Sequence, residues 1–322
     1  MKFEELKRVL MSGKVSKNYL ITGKDVFLGD NAYRLIFENL HIEMPELNEI
    51  KYNDIEVDFA SVVNALSTPA VFSDNKIVLV DLTTKSTKLK NVDTFKQYIK
   101  NGMFDNTLVV RMGENSEISK TFDLKCFEEI DCGTISRDIA IKLVSAEVKK
   151  NGKTITIDAI NNLLDFANMD LQVCMNEIKK LVNFVTTEIK SSDIQELVSK
   201  TLEYKIFELT EALGRKNVEK VYEILADLKH KKTGYQGLIG LIYAHFRRLL
   251  HLAITKLSLA EYADLFGVKE YAIKKSMEQV RLFTPKKLKQ INDLCMQLEY
   301  QIKTSQITTV NAVDMLVLQI LQ

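Results

Sequence analysis

The sequence of 322 residues predicts an α/β amino-terminal domain with a parallel sheet, then a small helical domain and an all-α carboxyl-terminal domain. Three observations lead to this fold class. Short apolar runs alternate with helical patterns up to about residue 135, whereas only amphipathic helical patterns follow from about residue 138. The chain is also too long for one ordinary core. Its 3 prolines and 12 glycines are few, which indicates mostly regular structure, chiefly helix.

Five short β-like runs of the first domain are predicted to be strands. The segments between them have helical spacing, and residues 59–66, for example, place four apolar side chains on one helical face. This alternation is typical of a parallel sheet with crossover helices. The predicted strands are Tyr19–Thr22, Glu49–Tyr52, Lys76–Leu82, Thr107–Met112 and Phe127–Asp131.

The rest of the chain divides into two helical blocks. Asp158 is expected to cap a helix that carries an apolar stripe through Ile160 and Leu164. Another helix is expected to begin at Pro285, since Thr284 is a cap residue and proline suits the first helical position. We place the boundary between the blocks near residue 203. The predicted domains are therefore 1–137, 138–203 and 204–322.

Composition and charge exclude several protein classes. The 44 basic and 43 acidic residues give a net charge of +1, so contact with nucleic acid would need a local patch or a partner. Residues 1–8 mix acids and bases, unlike a secretion signal, and the longest near-apolar run, 237–246, is about half of the roughly 20 residues that span a bilayer. We expect a cytoplasmic protein without a membrane segment. The 4 cysteines lack a C-x-x-C pair and are expected to be free, buried thiols.

Residues 19–31 have the strand, glycine turn and helix start of a nucleotide-binding loop without its phosphate-binding residues. A working loop reads G-x-x-x-x-G-K-[ST]. Here Gly23 and Gly29 are followed by Asp30 and Asn31, and a carboxylate roughly 6 Å from a phosphate charge would repel it by about 2.8 kcal/mol at an effective dielectric of about 20. Asp81, at the end of the third predicted strand, has no second acid to help hold magnesium. We interpret this as a nucleotide-binding fold that has lost its ATPase; the alternative is an ATPase with an atypical phosphate loop.

A second alternative is a DNA-binding regulator built on residues 257–279. Ala263, Gly267 and Ile273 have the spacing of a helix-turn-helix, and Lys269 begins a lysine-bearing second helix. The same spacing also occurs in helical bundles that never contact DNA. Three small basic clusters are expected to be solvated surface, and contact with phosphates is the alternative. The clusters are Lys85, Lys88 and Lys90; Lys229, Lys231 and Lys232; and Lys286, Lys287 and Lys289.

The connector before the third predicted strand contains an apolar pair, Val71 and Phe72. Pro69 ends the preceding helix, and Asp74 with Asn75 marks a turn. A valine-phenylalanine pair in such a connector most often folds back onto the sheet. The alternative is an exposed apolar plug.

The order and spacing of several segments resemble the delta subunit of the bacterial DNA polymerase III clamp loader, over nearly the whole chain. No single segment identifies the family, but the order and spacing of all the segments together are fairly specific. The segments are Tyr19–Gly23, Thr68–Ser73 leading into Lys76–Val80, Asp170–Leu171 with Asn176–Leu181, Ile206–Leu209, Phe246–Leu250 and Gln301–Lys303.

This resemblance implies an AAA+-like (RecA-like) architecture whose helical collar, 204–322, joins a five-subunit ring. It implies a subunit without catalytic residues, cofactor or metal that binds the sliding clamp (beta) and opens it, or holds it open, for loading on primed DNA. The other implied partners are the gamma/tau and delta-prime type subunits. The family's clamp-binding leucine-phenylalanine pair matches Val71 and Phe72. Valine has one methylene fewer than leucine, which costs about 0.8 kcal/mol of burial.

Overall fold

The structure, a computed structural model, describes residues 1–13, 15–23, 25–53, 56–84, 87–101, 105–113, 126–133, 135–230 and 237–322. These residues form two compact units, Met1–Ile139 and Ala140–Gln322. The predicted domains 1–137, 138–203 and 204–322 stay predictions.

The first unit is built on a parallel sheet, as predicted. Five strands pair in the order β2-β4-β6-β1-β7, all of them parallel, and each lies within one residue of a predicted strand. Two three-residue strands form a separate pair, which was not predicted because runs of three residues are too short to show a strand pattern. The strands are β1 Asn18–Thr22, β2 Glu49–Tyr52, β3 Glu56–Asp58, β4 Ile77–Leu82, β5 Lys88–Lys90, β6 Thr107–Met112 and β7 Glu128–Asp131.

Helices cover this sheet and bury its apolar side chains. Val78 and Val80 of β4 and Leu108 of β6 are buried in one core, where the rings of Phe59 and Phe95 stack with their centroids 4.5 Å apart. Burial of such side chains stabilises a sheet by roughly 1.5–3 kcal/mol each. The helices are α1 Phe3–Met11, α2 Val26–Asn39, α3 Pro45–Asn48, α4 Phe59–Ser67 and α5 Val92–Asn101.

Because the strands are parallel, the sheet has two chemically distinct edges. We call the edge where strands end, after Thr22, Leu82, Met112 and Asp131, the carboxyl edge. We call the edge where strands begin the amino edge; it includes the loops 40–48, before β2, and 68–76, before β4. Ligands of open α/β sheets usually bind at the carboxyl edge.

The described residues of the second unit are helical apart from one short parallel pair, β8 Thr154–Ile155 and β9 Glu188–Ile189. Its core includes Phe246, Leu288 and Ile291. The helices of this part of the chain are α6 Arg137–Lys150, α7 Ile157–Phe166, α8 Leu171–Phe184, α9 Ser191–Leu197, α10 Leu202–Gly214, α11 Val218–His230, α12 Leu238–Ile254, α13 Leu259–Phe266, α14 Glu270–Val280, α15 Pro285–Lys303 and α16 Thr309–Leu321.

The two predicted helix starts differ in outcome. Thr284 caps α15 by accepting a hydrogen bond from the Lys287 amide, with Pro285 at the first helical position, as predicted. The Asp158 cap was wrong, because the Thr156 hydroxyl accepts the hydrogen bond from the Ala159 amide. Asp158 lies inside the first turn, where its charge favours the positive end of the helix dipole. In the described part of the chain, no helix combines the length and apolarity that a membrane crossing needs.

Candidate partner-binding site

At the carboxyl edge, the chain after β7 closes onto the turn between β1 and α2. The Cys132 amide donates to the Thr22 carbonyl at 2.6 Å, and the Asp25 amide donates to the Cys132 carbonyl at 3.2 Å. Gly23 has φ +125°, and a Cβ there would lie 2.3 Å from the Cys132 carbonyl carbon, so no larger residue fits. Lys24 lies outside the described residues. The Asp25 amide, which lies in the turn where a phosphate loop offers its amides, thus has a protein partner.

An arginine between two aspartates occupies the same edge. Arg111 lies near the end of β6, nearly buried, and its Nη1 lies 2.8 Å from Asp30 Oδ1 and 3.1 Å from Asp81 Oδ2. Gly29 leaves room for the guanidinium, since a Cβ there would lie 3.1 Å from Arg111 Nη2. Asp81 also accepts hydrogen bonds from the amide and hydroxyl of Thr83, a role typical of a residue at a strand end.

The Arg111 contacts correct one step of the sequence reasoning. Asp30 is not the isolated charge that the repulsion argument assumed, because the guanidinium compensates it. The sequence analysis missed Arg111, although a single arginine in the apolar run of β6 was a signal that could have found it. What distinguishes this edge is therefore an internal ion-pair cluster, not an unpaired carboxylate.

At the amino edge, the structure leaves the apolar pair in solvent. The Phe72 side chain is 80% exposed and Val71 40%, in the loop between α4 and β4. Phe72 has φ +51°, a left-handed conformation that costs a non-glycine residue roughly 1 kcal/mol or more. Of the two arrangements that the sequence allowed, the structure has the exposed one, while the partner of this pair stays a prediction.

A buried asparagine, Asn48, fixes the backbone beneath this pair. Its Nδ2 donates to the carbonyls of Glu43 and Val71, both at 2.8 Å, and its Oδ1 accepts from the Val71 amide, also at 2.8 Å. The side chain is 0% exposed, so these bonds form away from water. The sequence analysis missed Asn48, whose role depends on a contact across 23 residues.

Further polar contacts hold both ends of the same loop. The Ser73 hydroxyl accepts from the Glu43 amide at 3.2 Å, and Asn75 Nδ2 donates to the Leu40 carbonyl at 2.9 Å. Asn106 Nδ2 and Lys76 Nζ both donate to the Thr68 carbonyl, and burial lowers the pKa of Lys76. Phe72 is thus an exposed side chain on a loop whose backbone is tied down.

The residues proposed for DNA reading lie in a packed helical corner. Gly267 adopts φ +62° between α13 and α14, and Ala263 and Ile273 are buried together. At the start of α14, Tyr271 donates to Asp165 Oδ1 at 2.5 Å and Lys269 to the Met169 carbonyl at 3.1 Å. The end of the helix that would enter a major groove is therefore occupied within the protein.

The metal-ligand, basic and cysteine candidates have the following places in the structure. Among the described residues, no three histidine, cysteine, aspartate or glutamate side chains come together to hold a metal. Of the basic clusters, Lys85, Lys231 and Lys232 lie outside the described residues, whereas Lys90 pairs with Glu56 at 2.6 Å. Cys132, Cys174 and Cys295 are buried thiols, as expected, whereas the thiol of Cys126 is exposed, contrary to the expectation.

Comparison with known families gives matches over most of the chain. The family model described as "DNA polymerase III, delta subunit" matches residues 19–131, and "DNA polymerase III delta subunit, C-terminal domain" matches residues 203–320. A third model, described as "middle domain", matches residues 137–196.

Two individual proteins are similar along almost their whole length. DNA polymerase III subunit delta of Bacillus subtilis is 24% identical, with 97% of this chain and 95% of that protein covered. The solved structure of the Bacillus subtilis DNA clamp loader delta protein aligns with a TM-score of 0.73 at 22% identity, covering 99% of both chains. This structural likeness confirms the predicted fold class.

Proposed function

Since the chain belongs to the DNA polymerase III delta subunit family, two of whose domain models together match well over half of it, we propose that it binds the sliding clamp through Phe72 and Val71. It opens the clamp ring, or holds it open, so that the ring is loaded on primed DNA. The chain hydrolyses no ATP itself. Its collar, 204–322, joins it to gamma/tau and delta-prime type subunits in the cytoplasm.

The observation that carries this proposal is the exposure of Phe72 on a fixed loop. Seating Phe72 and Val71 in a partner pocket would contribute roughly 3–6 kcal/mol, the scale of an interface hot spot. The loop backbone is already held by Asn48 and Ser73, so little ordering entropy is lost on binding. An apolar side chain presented in this way suits a contact that must form and later release.

The carboxyl edge supports the non-catalytic part of the proposal. Arg111 is engaged by Asp30 and Asp81, and the Asp25 amide by Cys132. A nucleotide would have to displace these contacts.

Clamp opening is driven by tighter binding of this chain to the open ring than to the closed one. ATP bound in sister subunits controls when Phe72 is presented.

Titration calorimetry of the whole chain with the purified sliding clamp of the same organism tests the proposal. We expect saturable binding of the clamp and no saturable binding of magnesium ATP. The absence of measurable clamp binding would refute the proposal. Micromolar affinity for ATP, or ATP turnover by the chain alone, would favour the alternative of an ATPase with an atypical phosphate loop.

A further inference from the structure

We infer that the clamp-binding surface has two chain segments, with Met44 and Leu47 providing a second apolar contact beside Phe72, and that Asn48 is the positioning residue that holds the segments together. This inference rests on the proposed function. It extends the interface from the loop 68–76 to the loop 40–48.

The second segment has the same properties as the first. Met44 is 46% exposed and Leu47 is 49% exposed, on and beside the one-turn helix α3. Met44 has φ +47°, close to the φ of +51° at Phe72, so each segment presents an exposed apolar residue from a strained backbone. Such strain persists only where surrounding contacts impose it, and it concentrates at functional sites.

Asn48 makes the two segments one surface. Its Nδ2 spans the carbonyls of Glu43 and Val71, at 2.8 Å each, so the two backbones lie on either side of a single amide group. The Ser73 hydroxyl adds a second link through the Glu43 amide. Met44 follows Glu43 and Phe72 follows Val71, which places the two strained residues next to the bridged positions.

The surroundings match the anatomy of a protein interface. Next to Ser73, a cleft of about 440 Å³ is lined by residues that include His41, Glu43 and Asp74. An apolar centre bordered by polar groups is typical of protein–protein contacts. Because Met44 and Leu47 are continuous with the proposed anchor, the occupant that the geometry favours is the same clamp ring, not a second partner.

The double variant Met44→Ala with Leu47→Ala tests the surface. We expect the clamp Kd to rise about tenfold, because contacts at the periphery of an interface contribute less than a central hot spot. The Tm should be unchanged, because both side chains are half-exposed. The matched control is Met296→Ala with Leu265→Ala, whose side chains are 47% and 55% exposed in the helical unit, and it should bind like the wild type.

The outcomes separate the inference from the proposed function. If Met44→Ala with Leu47→Ala binds within twofold of the wild type while Phe72→Ala has lost binding, the inference is wrong and the function stands. If the wild type does not bind the clamp, both are wrong.

Asn48→Ala and Asn48→Asp test the positioning role. Alanine removes every bond of the side chain, whereas aspartate keeps the acceptor for the Val71 amide and loses the donor to both carbonyls. Compared with the wild type, we expect faster amide exchange in the peptide 68–76 and unchanged exchange in peptides of β1 and β6. We expect a Kd increase of about tenfold for alanine and at least as much for aspartate, because a buried carboxylate oxygen would face two carbonyl oxygens. Clamp affinity equal to that of the wild type, with the loop loosened, would overturn the role. If Asn48→Ala fails to fold, the Met44 and Leu47 variant still decides the surface.

Discussion

The two edges of one parallel sheet in this protein have opposite chemistry. At the carboxyl edge, charged side chains satisfy one another, with Arg111 between Asp30 and Asp81. At the amino edge, polar groups are buried beneath the loop and the apolar side chains of Phe72 and Met44 face solvent. The strands between the edges are the same, so one packed sheet supports a polar, internally paired edge and an edge with exposed apolar side chains.

The contrast between the two edges indicates where a binding surface is to be sought in such a fold. A polar group buried with its partners mainly specifies structure, whereas a large apolar side chain exposed to water at a strained position gains little burial energy within its own unit. The strained backbone at Phe72 therefore points to a binding surface, whereas the ion pairs of Arg111 point only to structural stability. Four measurements test the contrast.

The largest expected effect concerns the thiol of Cys132 at the carboxyl edge. Burial, with Asp131 and Asp25 nearby, raises the pKa of Cys132 to about 12 from an ordinary value of about 9. A raised thiol pKa lowers the thiolate fraction at pH 8, so alkylation should be about a thousandfold slower than for an ordinary thiol and should accelerate as pH rises. Pulsed iodoacetamide labelling read by mass spectrometry measures this, with exposed Cys126 as internal control. Equal labelling of the two would show that the carboxyl edge is open.

Phe72→Ala should remove the amino-edge contact. We expect clamp affinity to fall at least about a hundredfold, because the ring is the main anchor, with stability changed by under about 0.5 kcal/mol. Calorimetry and thermal melting measure the two quantities. Phe184→Ala, which truncates another exposed phenylalanine, is the control and should change neither. A large loss of stability with binding retained would return Phe72 to a role in the core.

Arg111→Ala should affect folding and spare binding. Removing the guanidinium leaves Asp30 and Asp81 uncompensated near each other, which we expect to cost about 2 kcal/mol in the free energy of unfolding. Urea denaturation measures it. Arg34→Ala, which breaks an exposed pair with Glu38, serves as control and should cost under about 0.5 kcal/mol. Weakened clamp binding by the folded Arg111→Ala chain would contradict the separation of the two edges.

Val71→Leu should give the smallest effect, a gain. One added methylene at the partner contact is worth about 0.8 kcal/mol, or about fourfold tighter clamp binding. Calorimetry at one temperature suffices to detect it. Unchanged or weaker binding would place Val71 outside the buried centre of the interface.

The sequence predicted the sheet well, because its central strands β1, β4 and β6 are largely apolar and the outer strands β2 and β7 are short β-like runs that continue the alternation with helices. The sequence failed to predict β3 and β5, because a strand of three residues gives too short a pattern. It also failed to identify the cap of α7, because Thr156 and Asp158 are both acceptable cap residues. Such choices depend on which hydroxyl or carboxylate reaches an amide in three dimensions.

The candidate site was predictable only in part. The resemblance pointed to Val71 and Phe72, but the residues alone favoured folding back onto the sheet. The backbone of the exposed loop is held by Asn48 and Ser73, whose partners lie 23 and 30 residues away in the chain. Arg111 likewise pairs with Asp30 across 81 residues, a contact without local signature. Polar contacts between residues so far apart in the chain can be predicted only once the fold is known.

Hydrogen-exchange footprinting of the whole chain with and without the sliding clamp tests the central claim most directly. We predict protection in peptides covering 40–52 and 68–80 at the amino edge, with exchange unchanged in peptides covering 20–34 and 126–133 at the carboxyl edge. Protection of 20–34 and 126–133 with 68–80 unaffected would contradict the account.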